Sequence, residues 1–88
     1  MADRIRLRVS TPEQEVLDRD VGWVTAPATL GEIQVLPGHA ALVTSLDAGT
    51  LSWDEGGGRG RLAIGGGFAE VRDNVMTVLA DSAHAVTG

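Results

Sequence analysis

His39, Ser45 and Asp47 stand close together in the chain, and a histidine, a serine and a carboxylate are the parts of a hydrolase triad. That chemistry would be acyl transfer, with Ser45 attacking a carbonyl and His39 taking its proton. Ser45 lies in Val43-Thr44-Ser45-Leu46-Asp47, which has none of the glycines of a nucleophile elbow, and nearness in sequence is not geometry. A zinc site fares no better: His39 and His84 are far apart, have no cysteine companions and show no ligand spacing. Two glycine runs raise the question of a phosphate cradle. Gly65-Gly66-Gly67-Phe68 leads into no helix and so lacks the helix N-terminus such sites exploit. In Gly56 to Gly60 the nearby Arg59 and Arg61 would grip an anion only weakly. All seven basic residues are arginine, which removes phosphate-loop lysines, Schiff-base chemistry and lysine general bases. We expect no catalytic residue, no metal and no cofactor. The glycines read instead as tight turns or bulges where backbones approach closely.

The elements that position these residues follow a period of two. Ile5, Leu7 and Val9 alternate with Arg4, Arg6 and Arg8, placing apolar side chains on one face of a strand and guanidiniums on the other. The arginine stripe is open to two readings, a solvated face that discourages edge-to-edge association or a partner-docking face. Ser10-Thr11-Pro12 ends that strand, since proline cannot donate to a ladder. Further β-type runs cover Glu15 to Leu17, Val21 to Ala26, Glu32 to Leu36, Ala41 to Leu46, Thr50 to Trp53, Arg61 to Ile64, Phe68 to Arg72 and Val75 to Ala80. Asp18-Arg19-Asp20, Pro27, Pro37-Gly38, Asp47-Ala48-Gly49, Asp54 to Gly60, Gly65 to Gly67 and Asp73-Asn74 separate them. Many short strands punctuated by turns predict an all-β fold, a flattened antiparallel sandwich or barrel. Glu55 to Gly60 reads as a mobile hairpin tip between Trp53 and Leu62. No helical period is present.

With 88 residues the chain forms one domain, spanning 1–88. A net charge of -5 argues against nucleic acid, which demands clustered cations. Cysteine is absent, so no disulfide framework is available. The longest apolar runs, such as Ala40 to Val43, fall far short of the roughly 20 residues that cross a bilayer. Met1-Ala2-Asp3-Arg4 lacks the pattern of a secretory signal, so direct membrane insertion is not expected and any membrane association would go through a partner.

Two stretches carry more than fold class. The first is Gly31-Glu32-Ile33-Gln34-Val35-Leu36-Pro37-Gly38-His39-Ala40-Ala41-Leu42. The second is Gly65-Gly66-Gly67-Phe68-Ala69-Glu70-Val71 followed by Asn74-Val75-Met76-Thr77-Val78-Leu79-Ala80-Asp81-Ser82-Ala83. In this order and spacing they resemble the N-terminal β domain of the epsilon subunit of F-type ATP synthases, over essentially the whole chain. The resemblance implies a flattened β sandwich of about ten strands, a non-catalytic piece of the rotor. It implies two partners, the gamma subunit and the polar loops of the membrane-embedded c-ring. It also implies a peripheral position on the cytoplasmic face of a bacterial plasma membrane, and a part in coupling ion translocation to ATP synthesis. The family's ring-facing loops match Gly31, Glu32, Pro37, Gly38 and His39. The gamma-facing surface is expected around Ala40, Ala41, Leu42 and Val43 together with Gly66, Gly67, Phe68 and Glu70.

Chemistry alone leaves some of these residues open. His39, at a turn exit, can cap a backbone group or dock a partner, and Glu32 can be simply solvent-facing or an interface residue. Trp23 and Trp53 read as core or half-buried side chains, with interface anchoring as the lesser reading. The chain departs from the family at two places. Ala28-Thr29-Leu30 and Gln34 replace parts of the Glu-Gly-Glu-x-Gly segment common before the Pro-Gly-His turn. The helical hairpin that carries the family's inhibition of ATP hydrolysis does not follow Ala83-His84-Ala85-Val86-Thr87-Gly88, so coupling and assembly without hairpin inhibition are expected. The alternative is a freestanding β-sandwich module that binds a protein or small ligand.

Overall fold

Alternating apolar and polar side chains produce eight strands: β1 (Ile5–Ser10), β2 (Glu15–Val21), β3 (Val24–Ala28), β4 (Gly31–Val35), β5 (Leu42–Asp54), β6 (Arg59–Arg72), β7 (Val75–Ala80) and β8 (Ala83–Ala85). The computed structural model describes residues 3–86, and the readings that touched Met1, Ala2, Thr87 and Gly88 lie outside the described residues. The strands join in one sheet of order β2-β1-β7-β6-β5-β3-β4, with β8 also on β6. Every pair is antiparallel except β1 with β7, which run parallel from Arg6 opposite Val75 to Ser10 opposite Leu79.

The described residues form eight strands where the resemblance implied about ten: two anticipated turns are bends inside long strands, so that nine sequence runs become seven, and β8 is added. Asp47-Ala48-Gly49 and Gly65-Gly66-Gly67 face each other across the β5–β6 ladder. The register passes from Leu46 opposite Gly67 to Ala48 opposite Gly65 without a slip. Turn-forming residues that meet on both strands make a shared bend, not two chain reversals. Gly66 and Gly67 adopt φ of 106° and 142°, and a Cβ on Gly67 would lie 2.0 Å from the Leu79 carbonyl oxygen. Glycine is therefore required there, as the close-approach reading of this run anticipated. β7 and β8 lie along β6 in one register, parted at Asp81-Ser82, where Gly65 donates to the Ser82 carbonyl at 3.1 Å and Asp81 to the Gly66 carbonyl at 2.9 Å.

Around this bend the sheet folds onto itself. One half of the β5–β6 ribbon continues into β7, β1 and β2, and the other into β3 and β4, with β8 on the outer edge of β6. Both halves feed a single core: Ile5, Leu7 and Val9 from β1, Met76 and Val78 from β7, Val24 from β3, and Leu51 and Trp53 from β5. Each fully buried aliphatic side chain stabilises the fold by about 1.5–3 kcal/mol. That period-two core leaves the alternate residues on the outer faces.

Candidate functional site

The Pro-Gly-His segment forms a four-residue turn in which the His39 amide donates to the Leu36 carbonyl at 3.0 Å. Proline at its second position and Gly38 at φ 79° in its third are the requirements of a type II turn. His39 is half-buried, with Nδ1 2.7 Å from the Ala40 carbonyl oxygen. A carbonyl only accepts, so Nδ1 donates to it and Nε2 is left for a partner. Capping and docking are thus compatible in one side chain. Gly31, at φ 131°, opens β4, and Glu32 is exposed opposite Pro27. β4 is an edge strand of five residues, so the Gly31-Glu32 end and the Pro37–His39 end lie roughly 15 Å apart along it. The five predicted residues therefore form two points on one sheet edge and not a single cluster. Where Ala28-Thr29-Leu30 replaces the glycine-rich segment, a tight β3–β4 turn projects Leu30 fully into solvent.

The second surface lies on the outer face of the half-sheet built from β5, β6, β7 and β1. Cross-strand register sets Ser45, Phe68, Leu79 and Ser10 in one row and Val43, Glu70, Thr77 and Arg8 in the next. Val43, Phe68 and Leu79 are 72%, 61% and 56% exposed, a contiguous apolar area on a face that is otherwise polar. With Ala69, Glu70 and Thr77 they line a hollow of about 280 Å³. Of the predicted gamma-facing residues, Val43, Phe68 and Glu70 come together here. Leu42 packs against the core, Gly66 is buried, and Gly67 is half-buried at the bend. Ala40 and Ala41 are exposed in the loop before β5. Leu79 was missed: Met76, Val78 and Ala80 point inward, and that alternation places Leu79 outward beside Phe68.

Two arginines of the stripe, Arg6 and Arg8, are paired. Arg6 and Arg8 lie opposite Asp20 and Asp18 on β2, and Arg6 Nε donates to Asp18 Oδ1 at 2.6 Å. Arg8 Nε stands 3.5 Å from the same oxygen and Arg6 also reaches Asp20 at 3.4 Å. The hydrogen bond from Arg6 holds the Asp18 carboxyl below its ordinary value, and the same bond raises the Arg6 guanidinium. These carboxylates lay in a segment the sequence reads as a turn, Asp18-Arg19-Asp20, which the structure incorporates into β2.

The glycine-rich tip is also tied down. Glu55 donates its amide to the Gly58 carbonyl at 2.9 Å, closing the turn. The Glu55 carboxylate accepts from Trp53 Nε1 at 3.1 Å and pairs with Arg19, while Arg59 stacks over the Trp23 ring at 5.0 Å. The tip contrasts with the mobile segment its glycines suggested. Trp53 is buried and Trp23 half-buried. The serine, histidine and acid remain separate, for Ser45 shares its hydroxyl hydrogen bond with Thr29 at 2.6 Å while His39 turns to Ala40. Among the described residues no three metal-ligating side chains gather, and no helix is long and apolar enough to cross a membrane.

Comparison with known proteins gives one consistent result. Residues 4–86 match the family model described as the ATP synthase, Delta/Epsilon chain, beta-sandwich domain. The ATP synthase epsilon chain of Carboxydothermus hydrogenoformans is 48% identical over 84 residues, covering 96% of this chain and 63% of the relative. That of Pelotomaculum thermopropionicum is 45% identical over 85 residues with the same coverage, 96% and 63%. The chain thus spans somewhat under two thirds of the length of these relatives. Among solved structures, a chain of the Euglena gracilis mitochondrial ATP synthase (OSCP, F1 and c-ring) superposes with a TM-score of 0.90 at 31% identity, over 97% of this chain and 55% of that one. A chain of the Tetrahymena thermophila mitochondrial ATP synthase central stalk and c-ring superposes at 0.78 with 20% identity, over 91% and 65%, a likeness of fold.

Proposed function

The chain belongs to the family of ATP synthase delta/epsilon-chain β-sandwich domains, and from that premise we propose that it is a non-catalytic central-stalk subunit of an F-type ATP synthase. It joins the gamma subunit to the c-ring, so that ion translocation turns the rotor and rotation drives ATP synthesis elsewhere in the complex. Its place is peripheral, on the cytoplasmic face of a bacterial plasma membrane, held there by its partners. Relatives from bacteria support this setting.

The observation that carries the reading is the exposed apolar area of Val43, Phe68 and Leu79 on a stiff folded sheet, set apart from a polar, turn-bearing edge. Apolar area on a flat face supplies affinity for a large partner, and we assign it, with Glu70, to gamma. Ala40 and Ala41 extend that surface through the loop before β5, while Leu42, Gly66 and Gly67 support it from within. Glu32 near the start of β4 and His39 in the turn beyond its end present a carboxylate and an imidazole, and these fix register on polar ring loops, with Gly31, Pro37 and Gly38 shaping the backbone beside them. Interlocked strands bent around one core transmit torque with little deformation. The freestanding-module alternative is not favoured, because the match to epsilon chains runs through nearly the whole chain.

Co-expression with the gamma subunit of the same source, followed by size-exclusion chromatography, tests the assignment. A stable one-to-one complex is expected, weakened roughly thirtyfold or more by Phe68→Asp with Leu79→Asp, since buried aromatic and aliphatic anchors dominate such interfaces. Glu32→Ala with His39→Ala should leave gamma binding intact and lower binding of the gamma complex to isolated c-ring. Absence of any gamma complex at low micromolar concentration would refute the reading.

A further inference from the structure

We propose that Asn74 is the positioning residue of the Pro37–His39 turn, bolting that turn through its side-chain amide to the start of β1 and to the β6–β7 hairpin. The Gly38 amide donates to Asn74 Oδ1 at 2.9 Å, and Asn74 Nδ2 donates to the Arg4 carbonyl at 2.7 Å. Both ends of the amide are determined by their partners: an N–H faces the oxygen and a C=O faces the nitrogen. The Asn74 backbone carbonyl also accepts from the Arg6 amide at 3.1 Å. One residue thus joins three segments far apart in sequence.

The backbone fits this role. Asp73 and Asn74 adopt φ of 53° and 62°, the left-handed pair of a type I′ hairpin between Arg72 and Val75. Asparagine is among the few residues that accept this conformation, and among them only a side-chain amide offers a donor and an acceptor at once. The hairpin continues β6, which carries Phe68 and Glu70 on the apolar face, while the turn it captures carries His39. Asn74 therefore connects the strand that carries one surface to the turn that carries the other. Gly38 needs such a restraint: its φ of 79° is held by the turn hydrogen bond and by Asn74, and a Cβ there would meet open space.

The functional part of this inference rests on the ring-facing reading of the turn; the clamp itself does not. Three variants separate them. Asn74→Gly keeps the left-handed backbone and removes both side-chain bonds. Asn74→Asp keeps an acceptor for Gly38 and sets a carboxylate oxygen against the Arg4 carbonyl, and His39→Ala removes the imidazole with its bond to the Ala40 carbonyl while leaving both Asn74 bonds in place. Hydrogen exchange of the chain should show Gly38 accelerated roughly five- to tenfold in Asn74→Gly, with Leu51 and Met76 unchanged and Gly38 still protected in Asn74→Asp. In the complex with gamma, Asn74→Gly should lower c-ring binding as His39→Ala does, with gamma binding unaffected. Unaltered Gly38 exchange in Asn74→Gly overturns the clamp. Accelerated exchange with ring binding intact, while His39→Ala weakens it, overturns the positioning role. Ring binding indifferent to His39→Ala overturns the docking reading and the positioning role with it.

Discussion

Two glycine-containing loops meet beside Arg4, and they are held in different ways. The Glu55–Gly58 tip has its open side near the Arg4 guanidinium, and the Leu36–His39 turn reaches the Arg4 carbonyl through Asn74. The tip is fastened by large and charged side chains: Trp53 beneath it, Arg19 paired with Glu55, and Arg59 over Trp23. The turn is fastened by one neutral amide and its own backbone bond. Glycine content does not tell them apart; the partners do. A loop anchored in the core belongs to the fold, whereas a loop held by a few exposed hydrogen bonds can be tuned without unfolding the sheet.

The largest effect should come from breaking the anchored loop. Trp53→Ala removes a buried indole from the core and the donor to Glu55, and should cost about 3–5 kcal/mol of stability in urea unfolding. The Leu36–His39 turn has no counterpart to that side chain. Its most sensitive backbone position is Gly38, where Gly38→Ala forces a Cβ into the left-handed region at a cost of about 1–2 kcal/mol. Binding to the c-ring should fall in this variant while gamma binding persists. A Gly38→Ala loss as large as that of Trp53→Ala would mean that the turn is built into the core and erase the contrast.

The comparison also explains what the sequence could disclose. Alternation in Ile5 to Val9 and Val75 to Ala80 is enough to place β1 and β7 and to aim their core residues, because burial of one face dictates period two. The Pro37-Gly38 turn was legible for the same kind of local reason, since its residues leave little choice of turn type. The bend at Asp47–Gly49 and Gly65–Gly67 was not, because its meaning depends on those two segments lying opposite each other. Val43, Phe68 and Glu70 could be placed on a common surface through the family resemblance, whereas Leu79 and Asn74 required the cross-strand register. Local chemistry shows turns and faces, and long-range pairing decides which of them cooperate.

A smaller effect sharpens the account of the tip. Glu55→Gln leaves an oxygen for Trp53 Nε1 and removes only the charge facing Arg19. Both partners of that pair are substantially exposed, so the loss should be no more than about 1 kcal/mol, and it should shrink further in 0.5 M salt as screening shortens to roughly 4–5 Å. A loss that salt leaves unchanged would instead mean that the charge facing Arg19 is not what fastens the tip.

Acid should separate the two loops by the smallest margin and in a defined direction. The side chain that holds the Leu36–His39 turn is an amide, which carries no titrating proton, whereas β2, which supplies Arg19 to the tip, is pinned to β1 through Asp18. Because Arg6 holds the Asp18 carboxyl below its ordinary 3.8, the native state binds that proton more weakly than the unfolded chain does. The resulting stability is fully present above 3.8 and is lost as the pH falls through the lower native value. Asp18→Asn should therefore be less stable than the parent at neutral pH, and the gap in urea midpoint should close on acidification below 3.8. Gly38 exchange, corrected for the intrinsic pH dependence of the chemistry, should not follow that change. If Gly38 loses protection in step with Asp18, the Leu36–His39 turn is coupled to the β1–β2 ion pairs through Arg4, and the two loops are held by one device.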